Sequence, residues 1–105
     1  MITKEEARRR VAARECYKTR DGDEIIIIDE FTIEKPWGWV FFYNSRKAWE
    51  TQDPKYGLSG NAPYLVERET GKLMQSGTSF PPETYIDNYE NNGDPHVHSP
   101  PTARR

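Results

Sequence analysis

The sequence predicts an α+β fold, in which an N-terminal helix and a C-terminal helix pack on an antiparallel sheet of about four strands. The prediction depends on a capped polar helix at the start, short β-branched and aromatic runs in the middle, and a proline-started amphipathic segment near the end. A chain of 105 residues suits one domain, which we place at residues 1–91. The polar, proline-rich segment 92–105 is predicted to be a disordered tail.

The first helix is expected over residues 3–17, because Thr3 followed by Glu6 matches a capping box. Three consecutive arginines, residues 8–10, look like a nucleic-acid patch when they are taken alone. Glutamates share the same helix, so an ordinary solvated face is favoured over nucleic-acid binding.

The middle of the chain contains two hydrophobic runs that are typical of strands. Residues 24–29 hold four consecutive isoleucines, which indicates cover on both faces or a change of face at a bulge. Phe31 and Ile33 alternate with polar residues, and a turn ending at Pro36 leads into an aromatic run at 37–43. We therefore predict an antiparallel hairpin that joins the segment containing Phe31 and Ile33 to the aromatic run at 37–43.

Residues 44–60 form a polar connection that is long for a small domain, with Trp49 and Leu58 as its expected anchors. A loop pinned to the core is favoured over a ligand-gripping lid. Strands are expected at 62–67 and 72–76, joined by a turn in which a glycine at position 71 takes a left-handed conformation. A second helix should then run from Pro81 to Glu90 or just beyond.

Composition excludes several classes of function. The net charge of -2 from 15 basic and 17 acidic residues provides no general basic field, so no nucleic-acid partner is expected. No apolar segment approaches the ~20 residues that a membrane span needs, and we expect no membrane partner. A single Cys16 excludes an internal disulfide and fits a reducing cytoplasm; its expected role is that of a small buried residue.

The residue types needed for catalysis are not assembled in the sequence. His96 and His98 both fall in the predicted tail, which leaves Cys16 and the serines without a histidine base in the folded body. The carboxylates that flank the isoleucine run favour an acidic surface over an acid–base pair. No glycine run matches a phosphate-binding loop. We therefore expect no enzyme activity, no metal and no cofactor.

Several motifs carry a resemblance to a known family. They are Gly38-Trp39-Val40-Phe41-Phe42-Tyr43, Gly60-Asn61-Ala62-Pro63, Glu69-Thr70-Gly71, Gly77-Thr78 with Pro81, Tyr85-Ile86 and Tyr89-Glu90. Over residues 3–90 the chain resembles the immunity protein 35 family, which includes YrhB-like proteins, of bacterial polymorphic toxin systems. The Gly-Asn-Ala-Pro and Gly-Thr elements are the most specific of these motifs.

The resemblance implies a cytoplasmic bacterial protein that binds a cognate toxin domain and blocks it by occlusion. A chaperone-like protein that holds unfolded clients is the alternative, and a small enzyme is disfavoured. Contacts with a toxin are expected in the loops and along the acidic edge, where a few buried anchors inside a polar rim suffice for tight binding. The predicted partner-binding residues are Asp21, Asp23, Glu24, Asp29, Glu30, Trp49 and Tyr56.

Overall fold

The fold comes from a computed structural model that describes residues 1–19, 22–58 and 60–98. The helices in these ranges are α1 (Lys4–Arg14), α2 (Arg46–Thr51) and α3 (Pro82–Asn92). The strands are β1 (Ile25–Ile27), β2 (Ile33–Lys35), β3 (Gly38–Phe41), β4 (Tyr43–Ser45), β5 (Tyr64–Glu67) and β6 (Leu73–Gln75). Two short 3-10 turns lie at Asp29–Phe31 and Pro54–Tyr56.

The described strands form two antiparallel sheets, which confirms the predicted α+β class. The larger sheet has four strands in the order β2-β3-β5-β6, and the smaller sheet pairs β1 with β4. Within the larger sheet Val40 lies opposite Ile33 on one side and Leu65 on the other. The predicted hairpin is confirmed as the β2–β3 pair, although Phe31 belongs to a 3-10 turn and not to the strand.

The aromatic run predicted as one strand divides at Phe42. Phe41 pairs with Tyr64 in the larger sheet, whereas Tyr43 pairs with Ile27 in the smaller one. The backbone N–H of Ile28 donates a 2.8 Å hydrogen bond to the oxygen of Phe42, which extends the smaller ladder to this point. The isoleucine strand β1 therefore pairs with β4, which follows Phe42, and does not belong to the four-stranded sheet.

Each face of the larger sheet is covered by a different helix. On one face Ala7 and Val11 of α1 join a core that includes Trp39 and Phe41. On the other face Ile86 of α3 packs with the side chains of Val40 and Leu65. Because strand residues alternate between faces, neighbouring residues of β3 serve opposite cores.

The start of α1 agrees in part with the predicted capping box. Thr3 Oγ1 accepts a 3.1 Å hydrogen bond from the backbone N–H of Glu6. The Glu6 carboxylate does not return to Thr3, because it pairs with Arg9 and Arg10.

The helix ends at Arg14, three residues before the predicted end. Cys16 is exposed, so its expected burial is wrong.

The long connection is more structured than predicted. It begins inside β4, contains α2 and the Pro54–Tyr56 turn, and is pinned by Leu58, which packs against the core under α1. Gly71 has a φ of +75°, which confirms its predicted left-handed conformation in the β5–β6 turn. No helix in the described ranges has both the length and the apolar character that crossing a bilayer requires.

The chain continues to pack after α3 ends at Asn92, with Gly93 as its C-cap. Pro95 is buried, and His96 Nε2 donates a 2.8 Å hydrogen bond to the backbone oxygen of Gln75 in β6. Packing on the domain therefore extends beyond residue 91, to His98. Tail disorder stays a prediction for residues 99–105, which lie outside the described residues.

Candidate functional site

An open groove of about 340 Å³ lies between the Asp29–Phe31 turn, the β3–β4 junction, α2 and the Pro54–Tyr56 turn. We call it the aromatic groove. Its lining residues are Ile28, Phe31, Phe42, Tyr43, Asn44, Ala48, Trp49, Gln52, Asp53, Pro54, Gly57 and Asn61. The groove is therefore built from segments that are far apart in the sequence.

Three aromatic rings meet along one side of the groove. Phe31 contacts Trp49 edge to face, with ring centroids 5.4 Å apart and an interplanar angle of 80°. Phe31 also contacts Phe42, at 6.3 Å and 87°. Phe31 is 54% exposed. An exposed ring of this size beside a half-buried tryptophan is the composition of a protein-contact hot spot.

Local chain geometry explains why Phe31 is exposed. The β1 ladder ends at Ile28, where the chain leaves the sheet in a 3-10 turn that directs Phe31 away from the core. Phe42 stands at the break between β3 and β4, where neither ladder includes it as a strand residue. Phe31 therefore stays exposed at the groove, whereas Phe42 lines it and also packs against the core that contains Val40 and Leu65.

Hydrogen bonds around the buried Ser45 hold together the segments that line the groove. Its hydroxyl donates to the backbone oxygen of Tyr56 at 2.6 Å and accepts from the N–H of Ala48 at 3.1 Å. Asn44 Oδ1 accepts a further hydrogen bond, from the N–H of Leu58 at 2.9 Å. These contacts tie α2 and the second 3-10 turn to β4, so the groove walls are preorganised.

The described lining of the groove contains one charged side chain, a carboxylate. Among the described lining residues Asp53 is the one that carries a charge, and its Oδ1 accepts a 3.1 Å hydrogen bond from the N–H of Lys55. Glu30 and Glu50 are exposed, next in sequence to Phe31 and Trp49 respectively. Within residues 1–19, 22–58 and 60–98 neither glutamate forms a hydrogen bond or an ion pair.

Asp29 stands beside the groove but is already paired with α1. Arg8 donates two hydrogen bonds to its carboxylate, at 2.7 and 2.9 Å. These bonds hold the pKa of Asp29 below its usual value, and the partner raises the pKa of Arg8. Because both side chains are largely solvated, the pair adds little stability, but it orients the carboxylate.

The structure separates the predicted contact residues into two groups. Trp49 lines the aromatic groove, and Asp29 and Glu30 lie in the 3-10 turn that ends at Phe31, another of its lining residues. Asp23, Glu24 and Tyr56 lie around the first turn of α2. Asp21 lies outside the described residues.

The acidic residues of the second group form hydrogen bonds and an ion pair within the chain. The Asp23 carboxylate accepts hydrogen bonds from the backbone N–H groups of Glu24 at 3.0 Å and Lys47 at 2.8 Å. Glu24 is ion-paired with Arg46, which begins α2. These acids therefore fasten β1 to α2, a positioning role that the sequence alone did not indicate.

Tyr56 lies under two cations. The Nζ atoms of Lys47 and Lys55 stand 5.4 Å and 5.1 Å from the centre of its ring. The Tyr56 ring is therefore engaged by this chain's own lysines.

Phe31, Phe42 and Asp53 line the groove but were not among the predicted contact residues. Asp53 precedes Pro54, and an aspartate before proline is a recognisable start of a helical turn. Phe31 follows two acids directly after the isoleucine run, a break in the strand pattern that could have indicated its exposure.

A separate polar cluster lies under α1. The Tyr64 hydroxyl donates a 2.6 Å hydrogen bond to Glu15, and burial is the main cause that raises the pKa of Tyr64. Burial likewise raises the pKa of Tyr43 to about 12. Burial favours the neutral form of both phenols, and the Tyr64 hydrogen bond joins the C-terminal end of α1 to β5. In the part of the chain that the structure describes, no group of three or more His, Cys, Asp or Glu residues could hold a metal ion.

Fold and groove together define a small α+β protein with an open groove lined by aromatic rings and one carboxylate. The sequence profile of the immunity protein 35 family matches residues 5–91, and the chain belongs to that family. The match confirms the resemblance carried by the glycine and aromatic motifs.

One curated relative is the uncharacterised protein YrhB of Escherichia coli strain K12, which is 38% identical over 53 residues. That alignment covers 50% of this chain and 56% of the relative, so the chain matches just over half of the relative's length. No solved structure matches.

Proposed function

We propose that this protein is the immunity partner of a bacterial toxin domain, which it neutralises by binding and occluding it in the cytoplasm. The observation that carries the proposal is membership of the immunity protein 35 family over residues 5–91. Neutralisation by occlusion requires no chemistry from the immunity protein, so we propose a non-enzymatic role. Its requirement is a surface that buries anchors of the toxin.

The aromatic groove is the surface that we assign to toxin contact. Phe31 and Trp49 provide exposed and half-buried rings, and the Ser45 hydrogen bonds fix the walls on which the rings are mounted. Preorganised walls reduce the ordering cost of association. Asp29, Glu30 and Trp49 remain proposed contacts, and Phe31 joins them.

Growth rescue tests the proposed function. A toxin domain encoded beside this gene would be expressed in a sensitive bacterial host, with this protein under a separate promoter. We expect growth to be restored, and the two purified proteins to elute as one complex. Toxins from unrelated systems serve as the specificity control. Unrestored growth, together with separate elution of the two proteins, would contradict the proposal.

A second candidate is a chaperone-like protein, which the exposure of Phe31 beside Trp49 also favours. This role predicts suppression of heat-induced aggregation of unrelated proteins, measured by light scattering, at stoichiometric amounts. Suppression of aggregation without toxin rescue would favour the chaperone role. Rescue of one toxin without suppression would favour immunity.

A further inference from the structure

We propose, building on the proposed toxin-binding function, that the aromatic groove receives a basic side chain of the toxin domain, an arginine or a lysine. The groove combines ring walls with one carboxylate in its lining, that of Asp53. That combination suits a side chain with an apolar stem and a cationic end.

The aromatic rings of the groove can contact both the apolar stem and the cationic end of an arginine or lysine side chain. Phe31 meets both of its aromatic neighbours edge to face, at interplanar angles of 80° and 87°. An edge-to-face contact uses at most one face of one ring of the pair, which leaves other faces available. A guanidinium or ammonium group is attracted to such a face, and its methylene stem packs on the ring.

Asp53 determines the sign of the partner's charge. One oxygen of its carboxylate accepts the N–H of Lys55, and the other forms no hydrogen bond with any described residue. A partner that closed the groove would remove this half-buried carboxylate from water. An apolar partner would leave this carboxylate buried and uncompensated, whereas a cation would compensate it.

The described lining carries no charge of the opposite sign. No Lys, Arg or His is among the described lining residues, and the exposed Glu30 and Glu50 are next in sequence to Phe31 and Trp49. Lys47 and Lys55 are turned to the Tyr56 ring, outside this lining. The local field therefore favours an approaching cation and opposes an acidic segment.

Titration with a small probe tests the groove without the toxin. N-acetyl-arginine amide would be added to the isotopically labelled protein, with the neutral N-acetyl-citrulline amide as the matched control ligand. We expect saturable shifts of the Trp49 indole N–H resonance with arginine and smaller shifts with citrulline. Trp37, which donates to Glu90, and buried Trp39 provide unchanged internal references.

The substitution Asp53→Asn separates charge from fold, because an asparagine oxygen can still accept the Lys55 N–H. We expect Asp53→Asn to reduce the arginine response about 10-fold. Glu69→Gln, on the exposed β5–β6 turn, makes the same change in net charge and should leave the response unchanged. Equal responses to arginine and citrulline, or an unaltered response in Asp53→Asn, would overturn the inference.

Measurements with the toxin separate the two proposals. The double variant Glu30→Gln/Glu50→Gln should weaken the complex and reduce its salt dependence, whereas Glu69→Gln/Glu83→Gln should not. A complex insensitive to both pairs and to Asp53→Asn contradicts only the basic side chain in the groove. Absence of any complex with the unaltered protein contradicts the toxin-binding function itself.

Discussion

Asn88 Nδ2 donates a 2.9 Å hydrogen bond to the backbone oxygen of Pro95 and so joins the middle of α3 to the segment that follows it. Asn88 is fully buried, and Pro95 is buried with it. His98 Nδ1 lies 3.3 Å from the same amide nitrogen. One buried side chain thus holds the returning segment against the domain.

Asn88→Ala should lower the free energy of unfolding by about 2 kcal/mol, because it removes this bond and leaves the Pro95 oxygen buried without it. Urea unfolding followed by tryptophan fluorescence measures the change. The exposed Asn91 of the same helix provides the control, and Asn91→Ala should alter stability by less than about 0.5 kcal/mol. Equal losses in the two variants would show that the Asn88 bond contributes nothing specific.

Gly38→Ala should prevent stable folding, with a loss of more than about 3 kcal/mol. Gly38 has a φ of +154°, and an added Cβ would overlap the backbone oxygen of Val66 on the neighbouring strand. Because β3 is central in the sheet, the strain could not be relieved at an edge.

Gly60→Ala is the matched control, since Gly60 has a φ of +72° and nothing within 4 Å of the added Cβ. It should cost only the left-handed backbone strain, roughly 1 kcal/mol. Circular dichroism and urea titration of both variants measure the difference. A well-folded Gly38→Ala protein would contradict the close approach of β3 to β5.

Raising the pH should destabilise the protein on the alkaline side. Burial raises the pKa of Tyr43 and of Tyr89 from 10.0 to about 12, and a hydrogen bond to Glu67 also raises that of Tyr89. A raised phenol pKa means that the fold favours the neutral form. Its stabilising contribution is therefore complete below pH 10 and is lost as the pH rises towards 12.

Urea unfolding at about pH 9 and about pH 11 tests this dependence, with tyrosinate absorbance as a second measurement. In Tyr89→Phe the fall in unfolding free energy between these two pH values should be smaller. An identical fall in Tyr89→Phe and the unaltered protein would contradict the assigned role of Tyr89.

Phe31→Ser should weaken the toxin complex at least about 10-fold, with a change of under about 1.5 kcal/mol in unfolding free energy. Phe80→Ser is the matched control, because Phe80 is 49% exposed but packs with Tyr85 and His98, away from the groove. Titration calorimetry measures both affinities. Comparable affinities in the two variants would argue against the aromatic groove as the contact surface.

Features that depend on nearby residues could be predicted from the sequence. Thr3 caps the first helix, Gly71 makes the β5–β6 turn, and Gly93 ends the last helix, because backbone preference and capping act over a few positions. The β2–β3 hairpin was predictable for the same reason.

Pairings between distant segments were not predictable. The break at Phe42 sends β4 to the isoleucine strand, and no local preference determines which of several runs β1 will join. Asp23 looked like a surface acid, yet its carboxylate receives the Lys47 N–H from a segment 24 residues away.

Local sequence patterns indicated the α+β class, the terminal helices, the main strand runs and the family to which the chain belongs. Packing between distant segments brings Phe31, Trp49 and Asp53 into one groove and engages Asp23 and Glu24 in contacts within the chain. Propensity and periodicity describe residues that are close in sequence. The groove depends on how β3 and β4, which separate at Phe42, place turns that are distant in sequence.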